Sequence, residues 1–549
     1  MAQAFVSTSI VFLCFIGYLQ PFHSAPWPSA INDGIFLILG FVCIGTAIAK
    51  PGSSRLSFSR AEILVLSLLV VHLSASSLAF DNRSVAPYGL VLFVALFCYK
   101  YSIGNLINKK LLLTGIWLSA AVTAVIGIGQ WLGAWDQWDS RFLWMLDINA
   151  GARLAGNLGQ PNATGTLLIW GVVSTAILAS QLEDGFLAMT RERVGQGVLS
   201  TSALLIAIAS ALTQSRTTTL AFIAIALIAW VHRTLYGKRA LRLILSACVL
   251  HITLVAALPV ISHLLFESEL TTAFGGKGIV DHSRLDAYAI FLRAILEKPF
   301  FGYGAGGTVA AFINGIDVRP GIGQYFAHAH NLVLELLVWF GIPLGLFLIF
   351  GIGRFIYCAY VRIKTKNDVA VFSILAAVFI HSMLELPLHY AYLLIPVAIF
   401  AANFSQPEPN QKFVLPKFVA ATALSICGFV FVLIANDYFR MEQDIRQARL
   451  ELAITGRAHP PSDSPPILLK ELYGANVMLR TEVSGSMSQS QLKLFDKTTA
   501  QFPMRPLIEK NIKALTLNGQ VVKADYWKNK YCAIYGQKAC QSLTPDSVQ

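Results

Sequence analysis

Charged side chains are scarce in this sequence of 549 residues. Asp, Glu, Lys and Arg together make up only 13% of the chain, whereas 55% of the residues are hydrophobic. A soluble globular domain carries about 25% charged residues. So low a charge content excludes an ordinary water-soluble globule, and the composition indicates a polytopic membrane protein.

Two further absences narrow the class. The glycine-rich stretch 302–307 is not closed by Gly-Lys-Ser/Thr, so it is not a phosphate-binding P-loop, and a nucleotide-driven pump is disfavoured. No basic residue precedes Lys50, so the first apolar run lacks the charged start of a cleaved signal peptide, and we expect it to remain as a membrane span. The net charge of +12 is spread over short loops, which does not suit nucleic-acid binding.

Apolar runs of roughly the ~20 residues that cross a bilayer recur along the chain. We predict an all-α polytopic membrane protein with about 13 transmembrane helices. The runs are 4–20, 31–49, 61–80, 85–99, 111–134, 163–181, 198–213, 217–232, 240–262, 331–353, 369–385, 388–404 and 414–435.

The distribution of Lys and Arg over the short loops predicts the orientation. Alternate loops hold eighteen basic residues and should be cytoplasmic, whereas the short loops of the other set hold only four. The N-terminus is then cytoplasmic, and a large loop, 263–330, and the tail lie on the outer side of the membrane. We therefore divide the chain into a transmembrane domain, 1–435, and a small outward-facing C-terminal domain, 436–549.

The predicted C-terminal domain should be helical. Segments 467–480, 489–500 and 505–535 favour helices, and no strand-like alternation stands out. It suits either a cap that packs on the outer face or a docking surface for a macromolecular acceptor. It also holds Cys532 and Cys540, which an oxidising compartment would join as a disulfide and a reducing one would leave as free thiols.

A cluster of amides precedes the sixth apolar run. Asn157, Gln160 and Asn162 lie among glycines, with Arg153 shortly before them. Amides at a helix N-terminus can simply cap it. Three of them beside an arginine instead favour hydrogen bonds to sugar hydroxyls or phosphate oxygens, and we predict a substrate-binding role.

An arginine in a short outward turn favours anion binding. Arg216 follows a very short turn after the seventh apolar run and is flanked by Gln and hydroxyl residues. An arginine at this depth is unfavourable without a partner, although it can also extend to lipid phosphates. We predict that Arg216 holds an anionic substrate. A second arginine on the same side, Arg284, lies in the large loop.

The two imidazoles of His328 and His330 stand at the start of the apolar run 331–353. A histidine near neutral pKa can accept a proton from a hydroxyl nucleophile. We rank His330 above His328 as the catalytic residue and give His328 a substrate-binding role. Residues two apart do not share a helical face, so the two imidazoles should differ in role.

Glu385 lies at the end of another apolar run. His381, Glu385 and His389 follow a spacing of four, which on one helix face would resemble a zinc site, but Pro387 interrupts that helix. We therefore predict no metal and no cofactor. A carboxylate in a membrane is a functional candidate, so we expect Glu385, with Tyr390 or Tyr392, to line the substrate cavity.

Taken together, these motifs resemble a known family. Ser283-Arg284, the stretch Pro-Phe-Phe-Gly-Tyr-Gly at 299–304, and His328-Ala-His330-Asn leading into Trp339-Phe-Gly341 are similar to the O-antigen ligase and polymerase superfamily. Within it, Gly156-Asn157-Leu-Gly-Gln160-Pro-Asn162 and the stretch 384–392 resemble the bacterial protein O-oligosaccharyltransferases of the PglL type. The resemblance covers about residues 150–405.

The resemblance implies a glycosyltransferase of the inner membrane. Its substrates would be an oligosaccharide on undecaprenyl diphosphate and a Ser or Thr hydroxyl of a periplasmic protein such as pilin. Arg216 and Arg284 would hold the diphosphate, and His330 would act on the hydroxyl. An O-antigen ligase that acts on lipid A-core and an O-antigen polymerase are the alternatives. A transporter is disfavoured, because we find no internal repeat.

Overall fold

The computed structural model describes residues 2–50, 56–80, 85–103, 107–135, 145–146, 148–183, 189–266, 282–405, 413–459 and 465–543. In this part of the chain, all regular structure apart from two short strands is helical. The helices of the first half are α1 Ala2–Leu19, α2 Ala30–Ala49, α3 Arg60–Phe80, α4 Val85–Ile103, α5 Lys109–Trp131, α6 Pro161–Glu183, α7 Met189–Leu212, α8 Arg216–Val231, α9 Arg233–Tyr236 and α10 Lys238–Phe266.

The second half continues in the same way. Its helices are α11 His282–Glu297, α12 Thr308–Gly315, α13 Leu332–Val361, α14 Lys366–Ser382, α15 Ala391–Ala401, α16 Lys417–Thr455, α17 Lys470–Arg480, α18 Gln489–Gln501, α19 Arg505–Leu517, α20 Val521–Tyr535 and α21 Gln537–Gln541. Strands β1 Leu56–Phe58 and β2 Phe413–Leu415 pair antiparallel, with Ser57 opposite Val414.

Each of the thirteen predicted apolar runs coincides with a helix. Among the described residues, seven helices are long and apolar enough to cross a membrane, namely α2, α5, α6, α7, α10, α13 and α16. The chain is therefore an all-α membrane protein. The count of thirteen crossings and their orientation stay predictions.

Helix α6 lies at the centre of the membrane part. It packs against α5, α7, α8 and α14. Two glycines allow this close approach, because a Cβ on Gly165 would lie 1.8 Å from Thr218 Oγ1 and one on Gly171 would lie 2.3 Å from the Ala120 Cβ. Packing α6 tightly against α8 brings the N-termini of both helices, and the loops before them, to one place.

Helix α13 is broken at Gly341, which has a φ of 71°. Pro343 has no N–H to donate to the Trp339 carbonyl, so that acceptor needs another partner. The glycine-rich turn 302–307 supplies it, since Gly304 N donates to Trp339 O at 3.0 Å and Tyr303 N donates to Val338 O at 2.7 Å. A Cβ on Gly341 would lie 2.4 Å from Phe300 O, so the turn can dock only against glycine.

The large loop and the tail form a second apolar core. Phe291 of α11 and Phe312 of α12 pack in one cluster with Trp527 and Tyr531 of α20. The apolar stripe of α11 that runs from Ile290 to Ile295 is therefore buried against protein.

The tail is attached to the loop by backbone as well as by side chains. Gly321 N donates to Ala533 O at 2.7 Å, Gly323 N donates to Ile534 O at 2.8 Å, and Lys530 pairs with Asp317 at 3.0 Å. A disulfide joins Cys532 and Cys540. The proposed domain boundary at 435/436 falls inside the continuous helix α16, so the tail leaves the membrane part through an unbroken helix.

Candidate active site

A cavity of about 120 Å³ is lined by five of the eleven predicted site residues, namely Gln160, His328, His330, Glu385 and Tyr390. The ends of four helices surround it, because Gln160 precedes α6, His328 and His330 precede α13, Glu385 follows α14 and Tyr390 precedes α15. The remaining lining residues are Trp27, Ser29, Tyr88, Leu386 and His389.

Glu385 is the centre of the polar network. Its Oε2 accepts a hydrogen bond from Gln160 Nε2 at 2.9 Å, and its Oε1 accepts one from Asn162 Nδ2. Arg284 Nη2 lies 3.5 Å from Oε1. Because a buried carboxylate needs compensating donors, these contacts fix its orientation and bring the amide cluster and the large loop together.

His381 contacts the Glu385 carboxylate directly. This buried imidazole places Nε2 3.3 Å from Glu385 Oε2 and Nδ1 2.9 Å from Thr166 Oγ1 of α6. His381 and Glu385, which are four positions apart in the sequence, are therefore in direct contact. Its effect is to hold the carboxylate in place, since His389 turns away to a different group of side chains.

Two further arginines lie close to this network in the fold. Arg153 Nε donates to Thr213 O at 3.1 Å, and Arg216 begins α8 directly after the cap residue Ser215. The pKa of Arg153 is lowered, first by partial removal from water and then by the positive charges of Arg216 and Arg284, against the opposing charge of Glu385.

Ser215 links the second arginine to the amide cluster. Its hydroxyl accepts a hydrogen bond from Thr218 N, which caps α8, and donates one to Asn162 Oδ1 at 2.6 Å. Asn162 therefore bridges Ser215 and Glu385. The short turn before α8 is held in a fixed relation to the carboxylate, and Arg216 extends from that turn.

His330 adopts an unusual backbone conformation. Its φ is 51°, a region that non-glycine residues seldom occupy and that often marks a functional site. Among the described residues, its Nδ1 has no hydrogen-bond partner. Burial lowers the pKa of His330, and the positive charge of Arg284 lowers it further against the opposing charge of Glu385. The lowered pKa favours the neutral imidazole, which is the form that can accept a proton.

His328 has a different partner, the buried Glu335 of α13. His328 Nδ1 lies 3.6 Å from Glu335 Oε1, and the His389 ring packs edge-on against the His328 ring, with centroids 4.7 Å apart. Potential ligand atoms of these three residues lie within 4.8 Å of one another, a set that could hold a metal ion.

The contacts of Glu335 explain this cluster without an ion. Oε1 accepts a hydrogen bond from Thr308 Oγ1 at 2.7 Å, and Oε2 accepts one from Ala329 N at 2.7 Å. A carboxylate held in this way can orient the His328 imidazole. We therefore assign no ion to it.

Two predicted residues are placed elsewhere. Asn157 is buried, where its amide donates to Leu19 O at 2.6 Å and accepts from Leu146 N at 3.1 Å. Tyr392 is buried behind Tyr390, with ring centroids 5.1 Å apart, and only Tyr390 reaches the cavity. The neighbouring Asn331 caps α13 and donates to Met383 O at 3.0 Å. The substrate-binding roles of Asn157 and Tyr392 stay predictions.

Four residues at the site were not predicted from the sequence. Trp27 and Ser29 come from the first loop, where Trp27 Nε1 donates to Ser29 Oγ at 2.9 Å, and Tyr88 comes from α4. A Trp between two prolines, Pro26 and Pro28, was the available signal for this loop. Glu335 gave no such signal, because a single acidic residue in the first turn of a helix usually stabilises the helix through its interaction with the helix dipole.

Two known protein families match parts of this chain. The family described as O-antigen ligase matches residues 201–349, and the family described as virulence factor membrane-bound polymerase, C-terminal, matches residues 369–546. The first match includes Arg216, Arg284 and His330, and the second includes Glu385. The chain is therefore similar to both families, to each over less than a third of its length. Its relatives among known proteins are named O-oligosaccharyltransferases, which are glycosyltransferase enzymes.

Two of these relatives come from Acinetobacter baylyi (strain ATCC 33305 / BD413 / ADP1). The ComP-specific O-oligosaccharyltransferase is 30% identical over 254 residues, which are 46% of this chain and 44% of the relative. The general O-oligosaccharyltransferase is 26% identical over 446 residues, 78% of this chain and 74% of the relative. The match therefore spans less than half of the first relative and about three quarters of the second.

Proposed function

We propose that this protein transfers an oligosaccharide en bloc from an undecaprenyl-diphosphate carrier to a Ser or Thr hydroxyl of a periplasmic protein such as pilin. The reaction takes place at the periplasmic face of the inner membrane. One observation carries the proposal: Glu385 brings Gln160, Asn162 and Arg284 together beside the imidazole of His330.

The arginines would bind the leaving group. Departure of a diphosphate from the anomeric carbon develops negative charge on the leaving oxygen, and fixed guanidiniums in a low-dielectric site stabilise such charge without reorganising. Arg153, Arg216 and Arg284 supply three positive charges against the single carboxylate of Glu385. This excess of positive charge would stabilise the negative charge of the diphosphate. The proposed step therefore uses arginines for this role and not a metal ion.

His330 would act as the general base. The acceptor oxygen attacks the anomeric carbon, its proton passes to the imidazole, and the carbon–oxygen bond to the diphosphate breaks with the electron pair on the leaving oxygen. Undecaprenyl diphosphate is released. One displacement at one face of the sugar inverts the anomeric centre.

An apolar groove adjoins the cavity. The groove has a volume of about 320 Å³, lies between α2, α4 and α16, and is lined by Ile38, Leu90 and Phe431 among others. Trp27 lines both the groove and the cavity that holds Glu385 and His330, which we call the catalytic cavity. An isoprenoid chain in the groove would direct its diphosphate toward the catalytic cavity.

A second candidate function is ligation to a lipid core or polymerisation of a glycan. The names of the two matching families favour it, since one is described as O-antigen ligase and the other as a polymerase. Both reactions use the same leaving group and differ only in the acceptor. The chemistry of the cavity serves each of them, so the acceptor must be tested directly.

The test offers two acceptors in competition. Purified protein, reconstituted with lipid-linked oligosaccharide, receives a pilin and a lipid A-core acceptor at equal concentration, and intact masses are recorded with time. We expect the pilin to gain one whole oligosaccharide at a Ser or Thr. Mass gain by the lipid acceptor alone would establish the ligase reaction instead, and gain by neither would reject transferase activity.

The activity should fall only at acidic pH. His330 must be neutral to accept a proton, and its pKa lies below the ordinary 6.5, because burial, Arg284 and His328 outweigh the opposing charges of Glu385 and Glu335. We therefore expect kcat/KM to be level from about pH 8 to pH 6.5 and to decline below that value.

A charge change supplies the control for this pH profile. Glu385→Gln removes a negative charge that raises the His330 pKa, so the decline of the residual activity should move to lower pH. A midpoint above pH 7 in the unaltered protein, or a shift to higher pH in the variant, would show that another group carries the proton.

A further inference from the structure

A second cavity, which we call the interdomain cleft, opens on the other side of His328. Its volume is about 270 Å³. The glycine-rich turn and the start of α12 form one wall, and the end of α18 forms the opposite wall. The cleft thus lies between the large loop and the C-terminal tail.

The interdomain cleft and the catalytic cavity meet. Tyr88, His328 and His389 line both of them. A molecule in the cleft would therefore have one end beside His328 and the catalytic cavity, whereas the apolar groove reaches that cavity by way of Trp27. The site has two separate approaches with different linings.

The lining of the interdomain cleft suits a polypeptide. Trp339 and Phe502 offer aromatic surface, Lys497 and Gln501 offer polar groups, and the backbone of Gly306 is exposed at the edge. A peptide segment requires this combination, because its backbone needs hydrogen-bonding partners while its side chains need apolar contact.

The far wall of the cleft is held in place. Trp527 Nε1 donates to Asp496 Oδ1 of α18 at 2.6 Å, and α18 contacts α12 directly. Because α20 is bonded to the large loop through residues 321 and 323, α18 keeps a fixed position opposite the glycine-rich turn. A preformed cleft loses less free energy on binding than one that must be ordered by its ligand.

We propose that the interdomain cleft binds the acceptor polypeptide, with an extended segment running between α18 and the glycine-rich turn and its Ser or Thr side chain entering the catalytic cavity past His328. This inference rests on the proposed transfer to protein and adds the site at which the acceptor is recognised. The tail then forms part of the active site, in addition to capping the outer face.

The test fills the cleft at a position that takes no part in the chemistry. Ala500 is exposed at the end of α18, so Ala500→Trp should fold normally while its indole occupies the cleft. The matched control is Ala453→Trp, the same change at an exposed position of α16 that does not line the cleft. We expect Ala500→Trp to raise the KM for the acceptor protein by about tenfold or more, which corresponds to about 1.4 kcal/mol.

Other kinetic constants separate binding from catalysis. The KM for the lipid-linked oligosaccharide and the kcat at saturating acceptor should stay within about twofold of the parent value, because only acceptor binding is blocked. A photocrosslinking residue placed at Ala500 should attach to the acceptor, and one placed at Ala453 should not.

The outcomes distinguish this inference from the proposed function. If the unaltered protein transfers glycan to no protein, the proposed function fails. If it does transfer, but Ala500→Trp leaves the acceptor KM unchanged and the residue at 500 does not crosslink, the cleft is not the acceptor site. If Ala500→Trp impairs only a lipid-core acceptor, the cleft binds a glycolipid and the inference is overturned.

Discussion

Replacing His330 with Ala lowers kcat for oligosaccharide transfer by about 10²–10⁴-fold, the contribution typical of a positioned general base. The variant keeps its affinity for lipid-linked oligosaccharide, because the arginines that would hold the diphosphate remain. Transfer by the purified variant is followed by the mass of the acceptor protein over time. His330 is only half-buried, so truncation should leave the fold intact.

The control for this change is His263→Ala. His263 is exposed near the end of α10 and does not line the catalytic cavity, so its loss should change kcat by less than about twofold. If His330→Ala keeps more than a tenth of the parent kcat, a different group must accept the proton. His328, with its Nδ1 near Glu335, would be the next candidate.

Replacing Arg284 with Ala should lower kcat by about 10²–10³-fold, as expected for the loss of one group that stabilises charge in the transition state. Two effects add here. A positive charge that faces the leaving diphosphate is lost, and the Glu385 carboxylate, 3.5 Å from the guanidinium, loses a partner and adds repulsion. Arg284→Lys should recover part of the rate, because it restores the charge without the planar fork.

Helix α11 offers a matched control for Arg284. Arg293 lies on the same helix, is more than half-exposed and pairs with Glu297 at 3.3 Å. Arg293→Ala should leave kcat within about twofold, since exposed ion pairs contribute about 0–1 kcal/mol to stability. Equal losses in both variants would show that the effect is structural, and no loss in Arg284→Ala would remove this arginine from the site.

Much of the architecture could be predicted from hydropathy. Every predicted apolar run coincides with a helix, because a segment surrounded by lipid must satisfy its own backbone hydrogen bonds. The break in α13 could not be located in this way. Gly341 and Pro343 mark a possible break, but its hydrogen-bond partners lie in the turn around Tyr303, some forty positions earlier in the sequence.

The sequence could predict which residues belong to the site, but it could not predict the contacts between them. Loop position and residue type pointed to Gln160, Asn162, Arg284 and Glu385 as separate motifs. That one carboxylate gathers the others is a fact of tertiary packing, since Gln160 and Glu385 are 225 positions apart. Periodicity within one segment has no information on such a contact.

Tertiary packing decides which groups face a local sequence pattern. The apolar stripe from Ile290 to Ile295 of α11 is covered by α12 and the tail. The spacing of four that joins His381, Glu385 and His389 holds only to Glu385, because α14 ends at Ser382 and a short 3-10 turn redirects His389 toward His328. An amphipathic pattern shows which face is buried and does not show what covers it.

The anomeric configuration of the transferred sugar tests the central claim most directly. In the proposed mechanism, the acceptor hydroxyl displaces the diphosphate in a single step with His330 as the base. The linkage to the acceptor hydroxyl must therefore be inverted relative to the linkage in the lipid donor. Nuclear magnetic resonance of the glycosylated acceptor, compared with the donor, gives both configurations. Inversion is the predicted result. Retention would contradict the mechanism, because a retained linkage requires two displacements through a covalent glycosyl-enzyme intermediate.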